Sequence, residues 1–246
     1  TRRIAGKNLP VKAVLLAAGL GTRLRPLTDT IPKCLVPVAG KTVLGHWLEA
    51  LCAAGVESIL INSHHHADQV ERFVLSRPEK KMITLTVEEE LQGTAGTLRS
   101  NLEFFSGEPS LVIHADNFCK ASISRFIDEH RARPTGTELT MMTFVSDDPR
   151  TCGIVELDGQ GIVREFHEKV PNPPGNIANA AIYVFEETVI RFISESKEGE
   201  LRDLSIDVIP RYLGRIYTVP ADGIVIDVGT PANLERAKGY ARDLAE

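Results

Sequence analysis

The stretch VLLAAGLGTRLRPLTDTIPKCLVPVAG, Val14–Gly40, decides how the chain reads. A short apolar run gives way to Ala17 and Ala18, then to Gly19, Leu20, Gly21 and Thr22, with Arg23, Arg25 and Lys33 behind them. An apolar strand running into glycines is how α/β proteins bring backbone N–H groups up to phosphate. Gly19 and Gly21 permit positive φ and close approach, and the two alanines leave room for a ligand. No Gly-Lys-Ser/Thr follows, so this is not a Walker A loop. Leu24 stands where a dinucleotide fingerprint needs its third glycine. The cations suit a triphosphate, since an arginine fork bridges two phosphate oxygens. Taken by itself, the stretch reads better as a solvated surface loop; its surroundings decide.

Outward from it, the chain alternates. β-rich runs at Val11–Leu16, Ser58–Asn62, Ile83–Val87, Leu111–His114 and Leu139–Phe144 are separated by helix-like segments. These segments lie at Thr42–Ala54, Ala67–Ser76, Thr94–Glu103 and Ser122–Arg133. The pitch predicts βαβ units around a mainly parallel sheet, an α/β nucleotide-binding half over residues 11–146. From 147 to 246 the pattern changes. GIVELDGQGIVREFHEKV reads as a hairpin about its DGQG turn and NAAIYVF as a strand. Helices are expected at Glu187–Ser194, Ser205–Leu213 and Pro231–Ala245. The halves are expected to share one sheet, so residues 11–246 form a single domain behind a loose arm, residues 1–10. No internal repeat or low-complexity linker occurs, and the chain stops after its last expected helix, which predicts no appended repeat domain.

Bulk properties narrow the class. A net charge of -5 and a pI near 5.8 exclude a broad basic face, so no nucleic-acid partner is expected. No apolar stretch approaches the roughly 20 residues that span a bilayer, so no membrane partner is expected either. The opening TRRIAGKNLP is too short and polar for a signal peptide. Cys34, Cys52, Cys119 and Cys152 show no metal-like spacing and read as free thiols in a reducing, cytoplasmic setting. Homo-oligomerisation is left open. Two carboxylates sit where strands should end, Asp116 in LVIHADN and Asp227 in GIVIDVGTP, and strand ends are where open α/β sheets bind ligands.

GLGTRLRPLTDTIPKCLVPVAGK, residues 19–41, resembles the signature of the sugar-1-phosphate nucleotidylyltransferases, G-x-G-T-R-L…P-K-x-L-V-P-V-x-G-K, nearly position by position. The resemblance runs from about Val11 to Ala237, and GTAGTL at 93–98 is most similar to the mannose-1-phosphate guanylyltransferase branch. It implies a Rossmann-like, mainly parallel mixed sheet with helices on both faces and a smaller sugar-binding lobe. It also implies transfer of a nucleotidyl group from a nucleoside triphosphate to a sugar 1-phosphate, releasing pyrophosphate. Ala17, Ala18 and the Gly19–Thr22 backbone would then cradle the triphosphate, with Arg23 on its outer phosphates and Lys33 near the phosphate transferred. Bringing a phosphate dianion up to a triphosphate calls for charge neutralisation and in-line positioning, hence Mg²⁺. The family's metal-binding aspartates match Asp116 and Asp227, with Ala115 where a glycine is usual. Its sugar-binding residues match Gly153, Glu168, Lys169 and Asn179, with Ala181 where a glycine is more common. Glu168 and Lys169, as neighbours on a strand, should point to opposite sides. The sugar phosphate is already ionised, so no Ser, Cys or His nucleophile is assigned.

The base should face TVEEELQGTAGTL, with Glu88, Gly93 and Thr94 at the nucleotide. A carboxylate only accepts hydrogen bonds. Guanine offers N1–H beside its amino group, whereas uracil offers one N–H between two carbonyls, so Glu88 favours GTP; at least one of Glu88–Glu90 belongs to a solvated acidic run. The sugar is expected to be of mannose or manno-heptose type. The alternatives are a uridylyl- or thymidylyltransferase and, more remotely, a non-catalytic sugar-nucleotide-binding subunit, which should lack one of Arg23, Lys33, Asp116, Lys169 or Asp227; all five are present. His64–His66 read as a loop before a helix rather than as a zinc site. Trp47 reads as core, and Cys34, where the family usually has proline, as a packed inert thiol.

Overall fold

The computed structural model describes residues 12–105 and 107–243. The expected N-terminal arm, the strand start at Val11 and the end of the final helix at 244–246 lie outside the described residues. The central strands are β1 (Lys12–Leu16), β4 (Ser58–Ser63), β5 (Ile83–Val87) and β6 (Ser110–His114); β1 pairs in parallel with both β4 and β6, and β4 with β5. Between β1 and β4 lies a short hairpin, β2 (Pro37–Val38) and β3 (Lys41–Thr42). Helices α1 (Val43–Ala53), α2 (Ala67–Leu75), α3 (Gly93–Ser100) and α4 (Ile123–Ala132) supply the crossovers. Thr42 and Ser122 cap α1 and α4 by accepting from Gly45 N and Arg125 N.

The second half continues the same sheet in antiparallel sense. The hairpin is β9 (Gly153–Leu157) and β10 (Val163–Glu168), and β11 (Ile177–Phe185) runs antiparallel to β6, β8 (Leu139–Val145) and β9. β12 (Ile216–Pro220) adds to β8 in parallel. The whole sheet has nine strands, with β10-β9-β11-β6-β1-β4-β5 as its main path and β8 and β12 branching from β11. α5 (Glu187–Glu195) and α6 (Pro231–Asp243) follow as expected. The helix expected over Ser205–Leu213 does not form as one element. A π-turn, Leu204–Val208, passes into a 3₁₀ turn, Ile209–Tyr212, because Pro210 has no N–H to continue an α-helical ladder. Two three-residue strands, β7 (Asn117–Cys119) and β13 (Val225–Asp227), pair antiparallel in a separate sheet; β13 ends at Asp227, where a strand end was expected, whereas β7 and the pairing were not signalled.

Alternation along β1 splits the core. Ala13 and Leu15 face the layer built on α1, α2, α4 and α6, while Val14 and Leu16 face the one built on α3, α5 and the π-turn. Two histidines are built into the first layer and its edge. His46 lies 2.8 Å from the Val38 carbonyl, and His130 lies 2.7 Å from Thr140 Oγ1 and 3.0 Å from Glu186 Oε1. Burial holds both imidazoles below the usual value of 6.5, outweighing the nearby acceptors. Unfolding therefore takes up protons at both sites once the pH drops below about 6.5, so stability should fall as pH is lowered through that range. Each site contributes at most about 1.4 kcal/mol per pH unit. Urea unfolding at pH 7.5 and 5.5 checks this; a higher unfolding midpoint at 5.5 would contradict it.

Candidate active site

The loop after β1 is held from both ends. Ala17 N donates to Asn62 Oδ1 at the end of β4, 2.7 Å away. Gly21 lies at φ 63, its carbonyl accepts from Thr28 Oγ1 at 2.7 Å, and a Cβ there would come within 2.8 Å of Thr28 Cγ2. That backbone admits only glycine comfortably. Gly19 has an ordinary φ and nothing within 4 Å of a built Cβ, so of the two glycines only Gly21 is required by the local fold. Leu20, Thr22 and Arg23 are exposed, while Leu24 is buried.

Three distant segments then converge. Lys33 is carried on the short turn Lys33–Leu35, and its side chain is only 6% exposed. Asp116 follows β6. Asp227 ends β13, and the β7–β13 register places it opposite Asn117. Trp47 Nε1 donates to the Asn117 carbonyl at 2.8 Å, and Asn117 Nδ2 to the Ala180 carbonyl at 2.9 Å, which fixes this corner. Lys33 Nζ donates to Asp116 Oδ2 at 2.6 Å and to Asp227 Oδ1 at 3.1 Å, and Arg23 donates to Asp227 Oδ2 at 3.4 Å. Burial pulls the Lys33 ammonium down, but Asp116 and Asp227 together raise it above its ordinary value. Burial likewise pushes the Asp116 carboxyl up, and the Lys33 ammonium overcomes this and holds it below the usual range. Two hard-oxygen carboxylates that already share one cation are a fitting donor pair for Mg²⁺.

Ala17, Ala18, Gly19, Lys33, Glu88 and Asp116 line a cavity of about 230 Å³. At its far end the acidic run divides: Glu89 and Glu90 are exposed, and Glu88 is 5% exposed. Its carboxylate is not a free acceptor pair. Oε1 takes hydrogen bonds from Asn62 Nδ2 (2.8 Å) and Thr97 Oγ1 (2.5 Å), and Oε2 takes one from Gln92 N (3.2 Å). With one donor against the two on Oε1, Oε2 is the oxygen that keeps acceptor capacity. Asn62 thus links the loop after β1 to Glu88, a connection no local pattern signals. Gly93 starts α3 at φ 78 with the Arg202 carbonyl packed where a side chain would be, and Thr94 Oγ1 accepts from Leu204 N at 2.8 Å. His114, also in the lining, carries a buried Nε2 with no hydrogen-bond partner.

Glu168 and Lys169 differ from expectation in orientation. Lys169 sits just past β10 at φ 49, which turns its side chain back so that Nζ pairs with Glu168 Oε1 at 2.8 Å. The strand ends at Glu168, so strict alternation does not carry through and the two do not point apart. Burial pulls the Lys169 ammonium down and Glu168 more than restores it; Arg23 and Asp203 also act on its charge. A Cβ on Gly153 would meet Glu168 Oε2 and Phe166 Cζ at 2.6 Å, so this glycine makes room for the glutamate. Asn179 donates to Tyr183 Oη at 2.7 Å and accepts from Ala181 N at 2.9 Å, stapling a bulge in which Ala181 lies at φ 53. That left-handed backbone is the physical reason a glycine suits the position.

His64, His65 and His66 each approach a different backbone carbonyl, of Glu88, Thr28 and Asp29, and so tie loops together. Cys34 is buried, which pushes its thiol up to about 12. All four cysteines are free.

The chain is 34% identical over 231 residues to the probable mannose-1-phosphate guanylyltransferase 2 of Oryza sativa subsp. japonica, covering 90% of this chain and 62% of that one. It is 32% identical to the mannose-1-phosphate guanylyltransferase catalytic subunit beta of Drosophila pseudoobscura pseudoobscura, covering 91% and 60%. The chain spans about three fifths of the length of these curated relatives. Among solved structures, a putative glucose-1-phosphate thymidylyltransferase from Bacillus anthracis superposes with a TM-score of 0.84 at 27% identity, covering 95% and 96%. HddC from Yersinia pseudotuberculosis, complexed with GMP-PN, shares the fold with a TM-score of 0.77 at 24% identity, covering 94% and 99%. Residues 12–243 match the nucleotidyl transferase family model, and the chain belongs to that family.

Proposed function

We propose that the protein transfers a guanylyl group from GTP to a manno-configured sugar 1-phosphate, yielding a GDP-sugar and pyrophosphate. The observation that carries this reading is the meeting of Arg23, Lys33, Asp116 and Asp227, from segments up to 204 residues apart, beside the cavity.

Each residue has a task that its geometry supports. The Gly19–Thr22 backbone offers N–H groups to the triphosphate, and Arg23, 61% exposed, is free to take the departing pyrophosphate. Lys33 neutralises the phosphate being transferred. Lys169 receives the sugar phosphate, and Glu168, lying over Gly153, accepts from sugar hydroxyls. Asp116 and Asp227 would hold Mg²⁺, which when bound neutralises phosphate charge. The sugar phosphate attacks directly and displaces pyrophosphate, so the phosphate is held in line rather than passed through a covalent enzyme intermediate. The four free cysteines suit a reducing, cytoplasmic setting.

The choice of GTP rests on the names of the relatives and on Glu88. Its remaining Oε2 capacity suits one N–H of guanine and opposes the carbonyl oxygens of uracil. Because three protein donors already use the carboxylate, UTP or dTTP is the second reading. Thermal denaturation with Mg²⁺ and each of GTP, UTP, dTTP, CTP and ATP separates them. GTP should raise the melting temperature most; a larger rise with UTP or dTTP would overturn the Glu88 argument.

A further inference from the structure

Lys33 stands where the metal of the proposed reaction belongs. Its Nζ lies 2.6 Å from Asp116 Oδ2 and 3.1 Å from Asp227 Oδ1. A divalent ion held by these two carboxylates would compete with the ammonium for their oxygens. Two cations so close repel each other, and the ammonium, 6% exposed, has little water to screen it although Asp116 and Asp227 keep 30% and 47% of their side-chain surface. Arg23 is no substitute partner for Asp227, since it makes one 3.4 Å contact from an exposed position.

Neither exchange is free for the lysine. With its side chain 6% exposed, losing both carboxylates would leave a buried charge without a partner, which is strongly disfavoured. A metal ion alone brings no anion to replace them. A nucleoside triphosphate brings both further oxygen ligands for the metal and a phosphate for the ammonium. We infer that Lys33 is a resident counter-ion that keeps the Asp116–Asp227 site closed to divalent metal until a nucleotide phosphate draws it away. This inference rests on the nucleotidyl-transfer reading above. It assigns Lys33 a task before the chemistry, making metal and nucleotide binding mutually dependent, and by linkage each strengthens the other by the same factor.

The test is Mn²⁺ affinity of the full chain without nucleotide, read from the electron-paramagnetic-resonance signal of free Mn²⁺. Fluorescence of Trp47, the single tryptophan, gives a second readout through its bond to the Asn117 carbonyl. Lys33→Met should bind Mn²⁺ at least tenfold more tightly than the wild type, although it removes a residue of the reaction centre. Lys33→Gln keeps a donor without the charge and should shift the same way; it serves if the methionine variant does not fold. A non-reactive α,β-methylene analogue of GTP should tighten Mn²⁺ binding at least tenfold in the wild type and markedly less in Lys33→Met. Unchanged or weaker Mn²⁺ binding by both folded variants overturns the inference. Tighter binding by the variants, with no binding of any nucleotide analogue, would uphold the lysine's guarding role and overturn the transferase reading.

Discussion

Replacing Asp116 by asparagine is expected to lower turnover at least a thousandfold, about 4 kcal/mol of lost transition-state stabilisation, while the melting temperature moves by only a few degrees. The amide is nearly isosteric and the backbone is held independently, since the Asp116 carbonyl accepts from Val228 N. Lys33 keeps Asp227 at 3.1 Å, so its buried ammonium is not orphaned. What disappears is the negative charge nearest Lys33, and with it one of the two carboxylates fit for a divalent metal. Steady-state kinetics together with differential scanning calorimetry check the prediction. Full Mg²⁺-dependent turnover in the variant would remove Asp116 from the reaction centre.

Gly93→Ala should produce the largest loss of stability, about 3 kcal/mol or more. The left-handed backbone at φ 78 costs an alanine about 1–2 kcal/mol. The added methyl would also lie 2.3 Å from the Arg202 carbonyl oxygen, which must move. That oxygen accepts from Ala95 N at 2.9 Å, and Thr94 binds Leu204 N beside it, so yielding there loosens the junction between α3 and the π-turn. Overpacking of this kind adds about 1–3 kcal/mol. For a chain of this size the melting temperature should fall by at least about 6 °C, and nucleotide affinity should fall with it because Gly93 and Thr94 line the cavity. A drop below 2 °C would show that the junction is softer than its geometry implies.

Much of the fold, and which residues belong to the candidate site, was legible because the signals are local or long. The strands of the parallel sheet are short apolar runs between amphipathic helices. The loop from Gly19 to Lys41 carries its pattern in consecutive residues. The rest depends on contacts that no local period encodes. The strand end at Asp227 was legible, but its three-residue partner β7 is too short to show alternation, and it is their pairing that sets Asp227 opposite Asn117, next to Asp116. Glu88 looked like an open acceptor because its partners, Asn62 and Thr97, are 26 and 9 residues away. Lys169 was expected opposite Glu168 until one left-handed residue reversed its direction. Ala181, which stands where a glycine is more common, takes a left-handed backbone at a bulge in β11, and Pro210 divides what looked like one helix.

The central claim is that a nucleotidyl group passes from the triphosphate to a sugar 1-phosphate, and product analysis reaches it most directly. With GTP, Mg²⁺ and mannose 1-phosphate or a manno-heptose 1-phosphate, the protein should release pyrophosphate and form the matching GDP-sugar in a one-to-one ratio, with neither product when the sugar phosphate is omitted. No pyrophosphate and no sugar nucleotide from any pairing of GTP, UTP, dTTP, CTP or ATP with a panel of sugar 1-phosphates would contradict it.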